Sequence, residues 1–250
     1  MLTEERHRLI LQALKEKEIV KISELTALTD ASESTIRRDL TWLEEKKFLK
    51  RIHGGAARLQ GKLTELSVPE KSSKNIQEKK QIAQYAASIV EDGDCIYLDA
   101  GTTTMQMIEW LEGKDIVVVT NGLNLVELLL KKGIRTYLIG GFVKPKTNAM
   151  VGRGAIESIR QYRFDKAFIG TNGVHPQYGL TTPDPEEAQV KKQAIDLSRE
   201  AYVLADEEKF GEISFSKIAE IDEVIIITNS LEDDQKVSFA NQTMIKVVTT

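Results

Sequence analysis

Apolar residues recur at helical spacing in the N-terminal segment and gather into short unbroken runs after it. Leu9, Ile10, Ala13 and Leu14 share one face of a first helix, with Arg6, Arg8, Gln12 and Lys15 elsewhere on the cylinder. Ser23 is placed to cap a short second helix that carries Leu25 and Leu28 and ends at Thr29-Asp30. Ser32 is placed to cap a third, in which Ile36, Leu40 and Leu43 stand at i, i+4 and i+7. Helices this short bury their stripes only against one another. Residues 48–52 alternate weakly and meet Gly54-Gly55, which predicts a small hairpin. The expectation for residues 1–57 is a winged helix-turn-helix. Residues 58–78, where Lys62, Ser67, Pro69, Lys71, Ser72, Ser73 and Lys74 break the pattern, read as a linker.

From residue 79 to 250 the pattern becomes strand, loop and helix in repetition. Strand-like runs occur at 95–98, 116–119, 136–139, 167–169, 202–204 and 224–227, with helical stretches at 105–111, 123–131 and 186–199. Such alternation predicts βαβ units and a mainly parallel sheet covered on both faces. The fold class expected is α/β, with a winged helix-turn-helix before it.

Composition narrows the class. Hydrophobic residues make up 41% and charged residues 29%, too apolar for disorder. No apolar run is long enough to cross a bilayer, and the opening MLTEERHR has no apolar stretch after its charges, so neither membrane span nor signal peptide is expected. Cys95 is the only cysteine, which excludes an intrachain disulfide framework and a multi-cysteine zinc site. The expected compartment is the cytoplasm. Net charge is −4, unpromising for nucleic acid, but the charge is uneven. Residues 1–61 hold 12 Lys+Arg against 10 Asp+Glu, a net of +2, and the remainder holds 22 against 28, a net of −6. The acidic sign belongs to the larger segment and says little about the first.

The third helix opens Ser32-Glu33-Ser34-Thr35-Ile36-Arg37-Arg38-Asp39-Leu40. With Ile36, Leu40 and Leu43 turned inward, Ser34, Thr35, Arg37, Arg38 and Thr41 face outward, where a recognition helix meets phosphates and base edges. Lys50, Arg51 and His53 on the hairpin would add backbone-facing contacts. Alone, Arg37-Arg38-Asp39 is a solvated charge run; cap, helix spacing and basic hairpin together favour DNA. Asp39 reads as structural, bracing an arginine or a neighbouring helix end. Arg6, Ile10 and Leu14, the run 32–40, and His53-Gly54-Gly55-Ala56 resemble the DNA-binding domain of DeoR-type bacterial transcriptional regulators. The resemblance extends along the chain. It implies a winged helix-turn-helix joined to a sugar-phosphate sensing domain similar in fold to ribose-5-phosphate isomerases and CoA transferases.

In the second segment polar residues collect where strands end: Asp99-Ala100-Gly101-Thr102-Thr103-Thr104, then Thr120-Asn121-Gly122, Gly140-Gly141, and Gly170-Thr171-Asn172-Gly173. A parallel sheet brings those ends to one edge, where open α/β folds hold ligands. Gly101 to Thr104 could cradle a phosphate with amides and hydroxyls, although no Walker sequence is present. Thr120, Asn121, Gly140 and Gly141 join the candidate ligand contacts on the same ground. Glu187 and Lys191, one turn apart, either pair along a helix face or point into the cleft. Asp206 ends a further strand, with Lys209 three residues on. The resemblance implies Asp99, Gly101, Thr102, Thr103, Glu187, Lys191, Asp206 and Lys209 as effector contacts. His175 reads as a hydrogen-bonding loop residue and Cys95 as core.

The expected function is a repressor that binds double-stranded operator DNA and leaves it when a phosphorylated sugar occupies the second domain. No cofactor, metal, membrane or catalytic residue is expected. A homodimer or homotetramer is expected, because helix-turn-helix proteins read paired half-sites. The loop Gly179-Leu180-Thr181-Thr182-Pro183-Asp184-Pro185-Glu186-Glu187-Ala188 is similar to that of fructose-operon repressors, which implies fructose 1-phosphate. Tagatose 6-phosphate is the alternative effector. An isomerase-like enzyme with an accessory DNA-binding domain is the alternative class, with Asp99, Glu187, Lys191, Asp206 and Lys209 as its acid and base groups.

Overall fold

The computed structural model describes residues 2–17, 19–46, 48–52, 54–58, 65–239 and 242–248. It divides into two compact units, Met1–Gly61 and Lys62–Thr250.

The first unit runs α1 (Thr3–Lys17), β1 (Ile19–Lys21), α2 (Ile22–Thr29), α3 (Glu33–Glu45), β2 (Leu49–Ile52) and β3 (Gly55–Arg58). Ile10, Leu14, Leu25, Ile36, Leu40 and Leu43 close its core with Val20, Leu49 and Ala56. Ser32 caps α3 as expected, its Oγ accepting from the Thr35 amide at 3.3 Å. The cap of α2 differs from expectation. Lys21, not Ser23, precedes the helix, and the Glu24 carboxylate accepts from the Lys21 amide at 2.9 Å. Leu28 is exposed. Arg6, expected on the outer face of α1, is buried against Asp39, so the expectation that Asp39 braces an arginine holds. The strand missed in sequence is β1, three residues too short to display a period. It makes the sheet three-stranded, in the antiparallel order β1-β3-β2. Gly55 is what lets it close, since a Cβ there would stand 2.3 Å from the Val20 carbonyl oxygen.

The second unit opens with α4 (Val68–Ser72) and α5 (Ile76–Ser88). The linker expected over 58–78 therefore stops short: residues 65–78 belong to this unit. No residue of α4 is buried, so no apolar pattern marks it. Then follow β4 (Cys95–Leu98), α6 (Thr102–Met107), β5 (Val117–Thr120), α7 (Leu123–Lys131), β6 (Arg135–Leu138), β7 (Phe142–Lys144), β8 (Ala149–Val151) and α8 (Arg153–Ile159). After them come β9 (Phe164–Gly170), β10 (Gly173–His175), β11 (Gly179–Thr182), α9 (Pro185–Asp196), β12 (Ser198–Leu204), β13 (Ser216–Ala219), β14 (Ile225–Thr228), α10 (Asp233–Phe239) and β15 (Ile245–Val247).

Seven strands form one sheet in the order β15-β14-β12-β9-β4-β5-β6, every neighbouring pair parallel. Alternate residues feed two cores. Tyr97, Val119, Ala167, Ile169, Val203 and Ile226 pack with α8 and α9, whereas Ile96, Leu98, Val118, Phe168 and Ile227 pack with α5, α6 and α7. All six expected strands are present. Helix α6 begins at Thr102, three residues ahead of expectation, and α9 stops at Asp196, so Arg199 lies in β12. The antiparallel pair β7–β8 and the small sheet β10-β11-β13 were not anticipated.

This order fixes the site. The chain leaves β4 toward β5 and β6, then returns to β9 on the other side of β4 and continues outward to β12 and β14. The loops after β4 and β9 diverge, and the crevice between them is where parallel sheets bind ligands.

Candidate functional site

On the first unit, α3 presents Ser34, Arg37, Arg38 and the half-buried Thr35 and Thr41 on the face away from its core. Arg37 reaches back to Glu33, with Nη2 to Oε1 at 2.5 Å. Arg38 Nε donates to the Ser34 carbonyl at 3.3 Å. The Thr41 hydroxyl is engaged twice: it donates to the Arg37 carbonyl and accepts from Arg51 Nη1, both at 2.9 Å. Arg51 thus ties the hairpin to α3, and its amide donates to Glu44 at 2.7 Å. Lys50 is exposed on β2. His53 lies outside the described residues. Glu33 partly neutralises the arginine it holds, so a phosphate must compete with it for Arg37.

On the second unit Asp99, Gly101 and Gly170 meet beyond β4 and β9, Lys191 of α9 reaches Asp99, and Asp206 follows β12. Asp99 follows β4 and is almost wholly buried. Its Oδ2 accepts from the Gly170 amide at 3.0 Å and from Lys191 Nζ, a buried charge-assisted bond spanning β4 and α9. Its Oδ1 is buried with no partner, and so is Oδ1 of Asp206 beyond β12, whose nearest cation, Lys209 Nζ, stands 4.0 Å away. The Tyr97 hydroxyl is a third buried orphan. Burial, then the charges of Asp99 and Glu187, push its pKa well up, so the phenol stays a neutral donor. Buried polar atoms are rarely left unpaired, and the orphaned carboxylate oxygens beyond β4 and β12 mark the carboxyl edge of the sheet as a candidate place for a polar ligand.

Glu187 and Lys191 turn to partners off their own helix rather than bonding each other along its face. Both side chains are buried and each has other partners. Glu187 Oε1 accepts from Thr147 Oγ1 at 2.7 Å and from Lys144 Nζ at 3.1 Å. Burial raises the Glu187 pKa, but Lys191, Thr147 and Lys144 outweigh it and hold the carboxyl below its usual range. Carboxylate oxygens of Glu65, Asp184 and Glu187 lie within 4.8 Å of one another, a spacing that suits a metal ion. The Lys144 ammonium contacts all three, Asp184 at 2.6 Å and Glu65 by a short bond, so a lysine supplies the positive charge there. Desolvation lowers the Lys144 pKa, and its three carboxylate partners raise it further than that.

Residues 6–62 match the DeoR-like helix-turn-helix domain, and residues 74–230 match the DeoR C terminal sensor domain. The chain belongs to the DeoR family. It is a transcriptional regulator of that family and not an enzyme, so the isomerase-like alternative gives way. Over 249 residues it is 54% identical to an uncharacterized HTH-type transcriptional regulator FruR of Bacillus subtilis (strain 168), covering 99% of each chain. It is 36% identical over 225 residues to the lactose phosphotransferase system repressor of Staphylococcus epidermidis (strain ATCC 12228 / FDA PCI 1200), covering 87% of this chain and 89% of that one. A solved structure of ribose 5-phosphate isomerase A from Methanocaldococcus jannaschii superposes with a TM-score of 0.42 and 21% identity over 55% of each chain. No helix among the described residues is long and apolar enough to cross a membrane.

Within this DeoR-family sensor domain the other nominated residues divide. Thr102 and Thr103 are buried at the start of α6 beside Gly101, whose amide donates to the Thr104 hydroxyl at 3.1 Å. Thr120 and Asn121 brace the backbone instead: Thr120 Oγ1 donates to the Leu98 carbonyl at 2.6 Å, and Asn121 Oδ1 accepts from the Ala100 amide at 2.8 Å. Gly140 and Gly141 lie beyond the edge strand β6. Gly140 donates to Ser158 Oγ at 3.1 Å, and a Cβ on Gly141 would stand 2.9 Å from that of Ala155, so these glycines seat α8. His175 Nδ1 accepts from the amides of Gln177 and Tyr178, a turn role. Cys95 is half-buried in β4. Sequence reading missed Tyr97, Lys144, Thr147 and Glu65. Tyr97 reads as core by pattern, and the other three meet Glu187 or one another only through the tertiary fold.

Proposed function

We propose that this protein is a repressor of a sugar-utilisation operon, reading its operator through α3 and the hairpin and leaving it when a phosphorylated sugar fills the crevice beyond β4, β9 and β12. The carrying observation is the pair of buried carboxylate oxygens, Asp99 Oδ1 and Asp206 Oδ1, that lack donors while each carboxylate has a lysine beside it. Unpaired acceptors ask for hydroxyl donors, and nearby ammonium groups suit a phosphate. A phosphorylated polyol offers both. Asp99, Asp206 and Glu187 then accept sugar hydroxyls, while Lys191, Lys209, Gly101, Thr102 and Thr103 receive the phosphate end. Ser34, Thr35, Arg37, Arg38, Lys50 and His53 contact DNA, and Thr41 with Arg51 joins the hairpin to α3. The relative named for a lactose phosphotransferase system and the relative named FruR favour a sugar signal, and the 179–188 loop favours fructose 1-phosphate over tagatose 6-phosphate. Operator reading by α3 implies a dimer or a pair of dimers acting in the cytoplasm.

Fluorescence anisotropy of DNA from upstream of its own operon tests this, with fructose 1-phosphate, fructose 6-phosphate and tagatose 6-phosphate in parallel and a scrambled duplex as control. Specific binding reversed by fructose 1-phosphate is the expected result; binding that no phosphosugar alters removes the effector assignment. Arg38→Ala should weaken operator binding roughly tenfold and lower the salt slope by about one, with the phosphosugar-induced rise in melting temperature unchanged. Lys209→Ala should do the reverse.

A further inference from the structure

The segment that leads into the second unit is held to it by charge. Helix α4 buries no residue, and its attachments are polar. Glu65, itself buried, bonds Lys144 and, at 3.3 Å, Lys71. The Val68 amide donates to the Lys146 carbonyl at 3.2 Å. Lys79 Nζ caps the far end, donating to the carbonyls of Lys71 and, at 2.7 Å, Lys74. Glu65 and Val68 are thus tied to the turn between β7 and β8. The same turn holds Glu187 from its other side, through Lys144 and Thr147.

One ammonium therefore serves three carboxylates, with Asp184 at 2.6 Å the partner that stays in place whichever of the other two is engaged. Beside Asp184, Lys144 divides its attraction between Glu187, at the sensor site, and Glu65, which stands three residues past the start of the second unit at Lys62. Carboxylates sharing a cation in a low-dielectric site repel one another, so each weakens the other's hold. Whatever engages Glu187 changes how tightly Glu65 and α4 are held, and α4 is covalently continuous with the segment that joins the two units.

We propose that Lys144 is a relay between the sensor site and the lead-in segment, a positioning residue through which a ligand at Glu187 tightens Glu65 and α4. The ligand half of this rests on the effector reading above; the competition between Glu65 and Glu187 does not. A ligand hydroxyl that draws Glu187 away leaves Lys144 more fully to Glu65.

The test is amide hydrogen exchange across residues 65–73 in the full chain without DNA, comparing wild type with Glu187→Gln, Glu65→Gln and Lys144→Met. Neutralising Glu187 removes the competitor and should slow exchange in α4, by roughly threefold or more, whereas Glu65→Gln and Lys144→Met should accelerate it by roughly tenfold. Opposite signs are the signature, because a merely structural cluster loosens α4 whichever member is lost. Equal direction in all three variants, or no change in Glu65→Gln, overturns the relay; Glu65→Gln decides should Lys144→Met fail to fold. In a second arm, fructose 1-phosphate on wild type should slow α4, and Glu65→Gln should keep the ligand-induced rise in melting temperature within about twofold of wild-type affinity while losing roughly tenfold in ligand-induced operator release. If phosphosugars leave the wild-type melting temperature unmoved, the effector assignment fails, and the variant exchange pattern still decides the relay.

Discussion

Asp39→Ala is expected to abolish operator binding by unfolding the DNA-binding unit, with the sensor unit still folded. Asp39 lies on the inner side of α3 and receives both Nε and Nη2 of Arg6, the latter at 2.9 Å, while His7 Nε2 stands 3.1 Å from Oδ1. His7 in turn stacks on Trp42 at 4.8 Å between centroids. The fork-shaped pair joins the start of α1 to the middle of the recognition helix and so sets the helix's orientation. Removing the carboxylate leaves the Arg6 guanidinium buried without its counter-charge, a loss of about 3–5 kcal/mol. A domain of about 60 residues has only about that much stability. Thermal melts should lose the transition of the first unit and retain that of the second, and anisotropy should fall to the scrambled-duplex level. Wild-type operator affinity in Asp39→Ala would mean that the ion pair does not hold α3. Arg6→Met combined with Asp39→Leu should recover much of the stability, because no charge is then stranded.

The same pair gives the DNA-binding unit an acid limit. Burial alone raises the Asp39 pKa, but bonds from Arg6 and His7 overcome it and leave the carboxyl below its ordinary value in the folded state. A depressed folded pKa stabilises above the unfolded value of about 3.9 and loses that contribution as pH falls through the folded one. Glu187 behaves alike in the sensor unit. Both units should therefore be insensitive to this effect near neutrality and lose stability as the pH drops below about 4. The double variant Arg6→Met with Asp39→Leu, which keeps the first unit folded, should flatten the acid limb for that unit alone.

How much of this was legible depended on where each residue's partner lay in the chain. The stripe Ile36, Leu40 and Leu43 and the cap Ser32 are local signals, and α3 carries them as expected. The buried runs at 95–98 and 224–227 fall within or across β4 and β14 for the same reason, because a strand covered on both faces needs apolar residues throughout. By contrast, β1 has too few residues for a period, and α4 has no apolar face to announce it. In the site, Asp99 and Asp206 could be nominated because they end strand-like runs. Lys144 could not: its partners Glu65 and Glu187 are 79 and 43 positions away, and a lysine in a short hairpin reads as surface. Thr120 and Asn121 were nominated for their place at a strand end, a signal that does not distinguish a side chain turned to a ligand from one bonded to its own backbone.

Lys191→Met is expected to remove the response to the proposed phosphosugar effector altogether, lowering its affinity by roughly a hundredfold or more, the scale for losing a charge-assisted contact and disordering its partner. Lys191 bonds Asp99 deep beneath the strand ends, and methionine has nearly its length without its charge. The single variant has two consequences that must be separated. Asp99 is left buried with only the Gly170 amide as partner, which costs about 3–5 kcal/mol of stability in the sensor unit. On the proposed phosphosugar reading, the ligand would also lose a cation at its anionic end. Asp99→Asn with Lys191→Met distinguishes them, since removing both charges leaves none uncompensated and should restore most of the melting temperature. If Asp99 and Lys191 touch the ligand, the double variant stays folded and still shows no phosphosugar-induced shift, while binding its operator as wild type does. If they serve only to hold β4 against α9, the double variant regains ligand binding along with stability. That second outcome would move the ligand away from the β4–β9 crevice and toward Asp206 and Lys209, whose own buried and unpaired oxygen does not depend on Asp99.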